Sequence, residues 1–197
     1  MIYLYVVIGL GNPGREYEST RHNVGFDTIE LLARRNNINI NKIKFKSVLG
    51  EGQIGKEKVI LMKPQTYMNN SGMAVYDILN FYKTPIENMI VIVDDIDIEF
   101  GTVRIKAKGS AGTHNGMRSI IYQIQKDNFP RVKIGIGKAR EGQDLANFVL
   151  SRFSKEERKF VDSAIERAAL AVETIIQYDI NKAMNEFNTK SNSTAQD

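Results

Sequence analysis

Cysteine is absent from the 197-residue sequence. That excludes disulfides, thiolate metal sites and a cysteine nucleophile. No serine sits in a nucleophile-elbow pattern, so a serine-centred covalent route has no support either. No apolar run reaches the 18 residues of a membrane span. The apolar start of the chain lacks the basic stretch that opens a secretory signal. It runs into Gly9-Leu10-Gly11-Asn12-Pro13-Gly14 rather than a cleavage site. It reads as a first buried strand, and a cytosolic protein is expected. Histidine occurs only twice, as His22 and His114. Internal repeats and linkers are lacking. What is present is an ordinary globular balance, 42% hydrophobic and 25% charged, sufficient for one core. The net charge of +4 is compatible with a polyanionic partner, and the placement of the charges has to decide.

The hydrophobic pattern alternates strands with helices. Residues 2–8 are a continuous β-rich run of the kind buried on both faces. Residues 24–35 put Phe26, Ile29, Leu32 and Ala33 on one helical face, and Asn36-Asn37 stops that helix. Strands are expected at 43–50 and 57–62, joined by the turn-like stretch GEGQIGK. A helix capped by Asn70 or Ser71 runs to about Tyr82. Thr84-Pro85-Ile86-Glu87 has the form of a capping box. Residues 89–93 are the clearest central strand, 102–107 alternate like a half-exposed one, and 131–137 are another. A helix is expected at about 115–126. Ser154 and Glu157 form a second capping box, followed by Phe160, Ala164, Ile165, Ala168, Val172, Ile175 and Ile176 at helical spacing. The polar end, from about residue 188, reads as frayed. The whole argues for one α/β domain, residues 1–188, with a central sheet.

Several segments carry more than packing. The first glycine-rich loop matches GxGxxG, but Pro13 has no N–H for a pyrophosphate and no apolar helical pattern opens at Gly14. A tight turn with glycine at positive φ is the plainer reading, and Asn12 adds an amide at the strand's end. His22, just before a helix, is either a packing residue or a base. As a base it needs a partner that fixes its tautomer, and Asp94 directly follows the central strand, where such sheets line a ligand crevice. The run Asp94–Glu99 is a solvated acidic turn or a site for a hard cation. If extended, Asp95, Asp97 and Glu99 share one side and Asp94 takes the other. In Lys63–Gly72, Tyr67 offers a stacking face, Asn69 a hydrogen-bonding pair and Met68 an adaptable wall. The loop Gly109–Gly116 is a plain connector, an anion site at a helix start, or a mobile lid, and it ends in His114 and Asn115. Arg104, Lys106 and Lys108 alternate beside it: a solvated edge or a phosphate clamp.

Taken in order, GLGNPG, Tyr17, TRHN, KPQTYMNNSG, DDID, GSAGTHNGMRSI, RVKIGIG and AMNEFN resemble the bacterial peptidyl-tRNA hydrolases over nearly the whole chain. The resemblance implies a monomer with a mixed central sheet wrapped by helices, and neither metal nor cofactor. It places the catalytic base on His22 and the aspartate that holds it on Asp94. It places substrate-contacting asparagines on Asn12, Asn69 and Asn115. Tyr17 and Tyr67 match aromatic positions at the tRNA end or peptide, Met68 a crevice wall, and His114 the second histidine. Lys106 and Lys133 match the pair that grips the tRNA 5′-phosphate, and the implied partner is peptidyl-tRNA, met at its 3′ end, acceptor stem and 5′-phosphate. At Lys133 many members carry arginine, so a bidentate grip becomes a point charge. Thr113 stands where the family often has glycine, which bears on the loop's shape. The expected reaction is ester hydrolysis by a water that His22 activates. The competing readings are a dinucleotide oxidoreductase, resting on GxGxxG, and a non-catalytic RNA-binding module, resting on the basic strand.

Overall fold

A computed structural model describes residues 4–188 of the chain. Its seven strands are β1 (Leu4–Gly9), β2 (Lys42–Lys44), β3 (Ser47–Ile54), β4 (Glu57–Pro64), β5 (Met89–Asp95), β6 (Val103–Lys106) and β7 (Arg131–Gly135). They form one mixed sheet in the order β2-β3-β4-β1-β5-β7-β6. The central pairings β1–β4, β1–β5 and β5–β7 are parallel, and the outer ones antiparallel. Six helices accompany the sheet: α1 (Val24–Arg35), α2 (Ser71–Tyr82), α3 (Asn115–Ile124), α4 (Leu145–Val149), α5 (Lys155–Gln177) and α6 (Ile180–Phe187).

The central strands lack polar alternation because both their faces are covered. Val7, Ile90 and Ile92 join one core with Ile29 of α1 and Ala168 and Val172 of α5. Val6, Ile8, Val91 and Val93 join the other with Val75 of α2 and Ile120 of α3. The chain therefore leaves the ends of neighbouring parallel strands toward opposite faces. That divergence opens a crevice at the carboxyl ends of β1, β4 and β5. No helix among the described residues is long and apolar enough to cross a membrane.

Helix α1 spans the expected residues, and Asn37 ends it in the left-handed region at φ 53°. The Ser154–Glu157 capping box forms at the start of α5. At the far edge of the sheet, the amide of Asn188 accepts from the Ile105 N–H (2.7 Å) and donates to the Ile105 carbonyl (2.9 Å). One side chain thus occupies the open edge of β6, which gives the AMNEFN segment a structural role.

Several expectations are corrected. The first hairpin turns inside 43–50, at Phe45 and Lys46, both left-handed. Most of GEGQIGK is strand, and the turn there is Gly55-Lys56 alone. Thr84–Glu87 makes no capping box. The next strand begins at Met89, so only a single 3-10 turn fits, Ile86–Asn88, without a side-chain cap. Phe160 is 63% exposed; Val161 takes the buried place. The acidic run is extended only as far as Asp95, the end of β5; beyond it Asp95 Oδ1 accepts from the N–H groups of Asp97 and Ile98 and turns the chain. Residues 2–3 of the first strand and the tail from 189 lie outside the described residues.

Candidate active site

The loop after β1 is fixed by the helix that follows it. A side chain at Gly9 would run into the Gly25 carbonyl, so strand end and helix start meet backbone to backbone. Close approach, rather than positive φ, is what requires glycine here. The positive φ in this loop falls on Gly14 (116°). The N–H groups of Leu10 and Asn12 are already spent on the Ile92 carbonyl and on Asn23 Oδ1, and Pro13 has none, which argues against a dinucleotide site.

Asn23 clamps this loop. Its Oδ1 accepts the Asn12 N–H and its Nδ2 donates to the Asn12 carbonyl, both at 2.9 Å. Asn12 in turn accepts the Met68 N–H on Oδ1 at 2.7 Å. An N–H donor on that side fixes the amide orientation. Asn12 therefore presents its NH2 as a donor, not the donor-acceptor pair expected from sequence. Tyr67, one residue before Met68, is held at φ 59° and ψ 160°, a region almost reserved for glycine that costs about 1–3 kcal/mol. Asn70 N–H donates to its carbonyl, and its ring meets Tyr17 edge-on at 6.2 Å.

Asp94 stands at the end of β5, paired in register with Ile134, and is 4% exposed. His22 Nδ1 lies 2.8 Å from its Oδ2, and His114 Nε2 lies 2.9 Å from its Oδ1. The two rings lie side by side, tilted, with their centroids 4.9 Å apart. The histidines are not equivalent. His114 Nδ1 caps α3 by accepting the Met117 N–H at 3.2 Å. Its proton is therefore on Nε2, donated to Asp94, and both its nitrogens are engaged. His22 spends only Nδ1–H on Asp94 and keeps the Nε2 lone pair for the crevice.

The electrostatics follow. Burial disfavours a charged His22 ring, and the charge and hydrogen bond of Asp94 outweigh it, so the pKa lies above the usual 6.5. For Asp94, burial disfavours the carboxylate. The adjoining His22 and His114 outweigh that and hold it well below the usual carboxylate range. The pair can take a proton from water and hold the resulting imidazolium.

Arg21 and Arg131 brace the site, and neither was singled out for this from sequence. Arg21 donates to both Glu157 oxygens, to Ile136 O and to Ser151 Oγ. It thereby ties the His22 turn to the end of β7 and to α5. Arg131 is fully buried and donates to the carbonyls of Gly109, Ser110 and Asp127. It holds the loop that delivers His114. Gly112 takes the left-handed bend of that loop at φ 59°, so Thr113 is spared it. The neighbours of the histidine in TRHN and of the lysine in RVK were the only sequence signals for Asn23, Arg21 and Arg131.

Nine of the eleven residues singled out from sequence line one crevice of about 560 Å³: Asn12, His22, Tyr67, Met68, Asn69, Asp94, His114, Asn115 and Lys133. Leu145, Val149 and Leu150 give it an apolar wall. Tyr17 reaches it through Tyr67. Lys106 lies in an adjoining cleft of about 820 Å³ with Arg104, Arg131 and Lys133. Asn69 and Asn115 are exposed, and Asn115 Oδ1 accepts from Arg118. His22, Asp94 and His114 place their ligand atoms within 4.8 Å of one another, close enough to share an ion. The hydrogen bonds above already account for that closeness. Among the described residues, Asp95, Asp97 and Glu99 form no such group.

The family model described as "Peptidyl-tRNA hydrolase" matches residues 6–195. A peptidyl-tRNA hydrolase from Caldanaerobacter subterraneus subsp. tengcongensis is 57% identical over 94% of this chain and 100% of its own. One from Finegoldia magna is 55% identical over 95% of this chain and 99% of its own. A crystal structure of peptidyl-tRNA hydrolase from Acinetobacter baumannii superposes with a TM-score of 0.90. It is 37% identical, covering 94% of this chain and 95% of that one.

Proposed function

The chain belongs to the peptidyl-tRNA hydrolase family, and from that premise we propose that it hydrolyses the ester joining peptide to tRNA by letting His22 activate a water. The observation that carries the choice of base is the free Nε2 of His22, against the fully engaged ring of His114. Asp94 fixes the proton of His22 on Nδ1 and stabilises the imidazolium. The water gives its proton to Nε2 as its oxygen attacks the ester carbonyl. General-base assistance of this kind contributes roughly 10²–10⁴-fold.

The tetrahedral oxyanion needs donors already in place. Asn12 suits this role better than Asn69 or Asn115: it is 7% exposed and its oxygen is tied to Met68, so its NH2 cannot turn away. Tyr17 and Tyr67 offer stacking faces to the tRNA end, and Met68, Leu145 and Val149 an apolar wall to the peptide. Lys106 and Lys133 take phosphate along the acceptor stem. The enzyme works as a monomer in the cytosol, with neither metal nor cofactor in this mechanism. Incubation with N-acetyl-aminoacyl-tRNA and with free aminoacyl-tRNA tests the assignment. Release from the blocked substrate alone is expected; release from neither would refute it.

A further inference from the structure

The crevice and the basic cleft share a wall made of Asp95, Asp97, Ser110, Gly112 and Lys133. In the cleft, Arg104 and Lys106 project from β6 into solvent, and among the described residues neither is ion-paired. Lys133 is different. Its Nζ lies 2.6 Å from Asp95 Oδ2, with the lysine side chain 22% and the aspartate side chain 9% exposed. Asp95 cannot swing aside, because its Oδ1 holds the Asp97 and Ile98 N–H groups at 2.7 and 3.2 Å. The flexible partner is the lysine.

We propose that Asp95 is a resident anion that occupies Lys133 until a substrate phosphate displaces it, and that it thereby sets how tightly this chain holds RNA. The inference rests on the reading of the substrate as a tRNA ester. With the ester carbonyl in the crevice, RNA that leaves by the shared wall passes Lys133. For Lys133 to reach a phosphate it must leave Asp95, and a mostly buried carboxylate then loses its cation. The gain from that phosphate is therefore the difference between two ion pairs, not the worth of one. Arg104 and Lys106 meet no such competitor. The consequence is restrained affinity, which favours release of the freed tRNA. The phosphate is either the terminal one or a backbone phosphodiester; both present negatively charged non-bridging oxygens.

Asp95→Asn tests this, because asparagine keeps the Oδ1 acceptor of the turn while removing the charge. Asp95→Ser, whose hydroxyl also supports such turns, serves as a second variant if the first does not fold. With N-acetyl-aminoacyl-tRNA, KM is expected to fall about fivefold, the worth of one partly exposed ion pair. The slope of log KM against log salt should steepen by roughly 0.7–0.9, one additional cation freed for phosphate. Adding Lys133→Gln should abolish both changes. A gain confined to 5′-phosphorylated tRNA identifies the terminal phosphate, and an equal gain on 5′-hydroxyl tRNA identifies the backbone; either supports the proposal. An unchanged or raised KM, or a gain that survives Lys133→Gln, overturns it. Turnover by the unaltered protein separates the two levels: its absence sinks the substrate reading, whereas turnover with an unmoved KM sinks only the role of Asp95.

Discussion

Replacing Asp94 by asparagine exposes the logic of the site most fully. The carboxylate accepts from two imidazoles, the Nδ1–H of His22 and the Nε2–H of His114. An asparagine offers one acceptor and one donor in the same space. His114 has no freedom to change, because its Nδ1 is committed to the Met117 N–H. The carboxamide oxygen therefore turns to His114 and its NH2 faces His22. That forces the His22 proton from Nδ1 to Nε2 and removes the lone pair from the crevice. In serine proteases the equivalent tautomer error costs about 10⁴-fold, and a kcat loss on the order of 10³–10⁴ is expected here. The pH profile gives an independent check. The base works when neutral, so activity rises with pH through the His22 pKa. In the unaltered protein Asp94 holds that pKa above 6.5, placing the acid limb above 6.5. Without the carboxylate only the effect of burial remains, and the limb of the residual activity moves below it. Initial rates on N-acetyl-aminoacyl-tRNA from about pH 5 to 9 read both effects. A rate loss under tenfold, or a limb that does not move, would refute the reasoning.

Other parts of the structure give further expectations. Asn12→Asp replaces the NH2 donor with a carboxylate oxygen facing a developing oxyanion; kcat should fall by at least about 10²-fold, and near-normal kcat would exclude Asn12 from that role. Asn188→Ala removes two hydrogen bonds from the edge of β6 and should cost about 1–3 kcal/mol. Thermal melting checks it, since 1 kcal/mol moves the midpoint by roughly 2–4 °C at this size, and an unmoved midpoint contradicts the edge role. Gly9→Ala drives a methyl group into the Gly25 carbonyl and should destabilise by about 3 kcal/mol. A variant that melts with the unaltered protein would show that strand and helix do not meet as described.

The sequence revealed elements with a strong local pattern. The apolar run before Asp94 marked β5 and its carboxyl end, and 3.6-residue periodicity marked α1. Where the pattern was ambiguous, tertiary context decided. A glycine-rich stretch read as a turn became strand because β4 pairs along its length, and Thr84–Glu87 had too little chain before β5 to become a helix. Phe160 matched the helical period yet lies outside, because Val161 fills the core. The site was legible as a set of residues through its motif order, but not as geometry. No spacing along the chain says that one aspartate serves two histidines, that a helix cap engages one of them, or that Lys133 faces Asp95. The cap is local, three residues from His114 to Met117, but the contacts of Asp94 and Asp95 join residues 20 to 72 positions apart, and the fold brings them together.

The central claim is that His22, and not His114, is the base. Single-turnover hydrolysis of N-acetyl-aminoacyl-tRNA by His22→Ala and His114→Ala, with tRNA binding measured in parallel, tests it directly. The account predicts that His22→Ala binds normally and loses about 10²–10⁴-fold in the chemical step, while His114→Ala retains substantially more activity and loses about 1 kcal/mol of stability with its helix cap. Equal losses in the two variants, or the greater loss in His114→Ala, would contradict it.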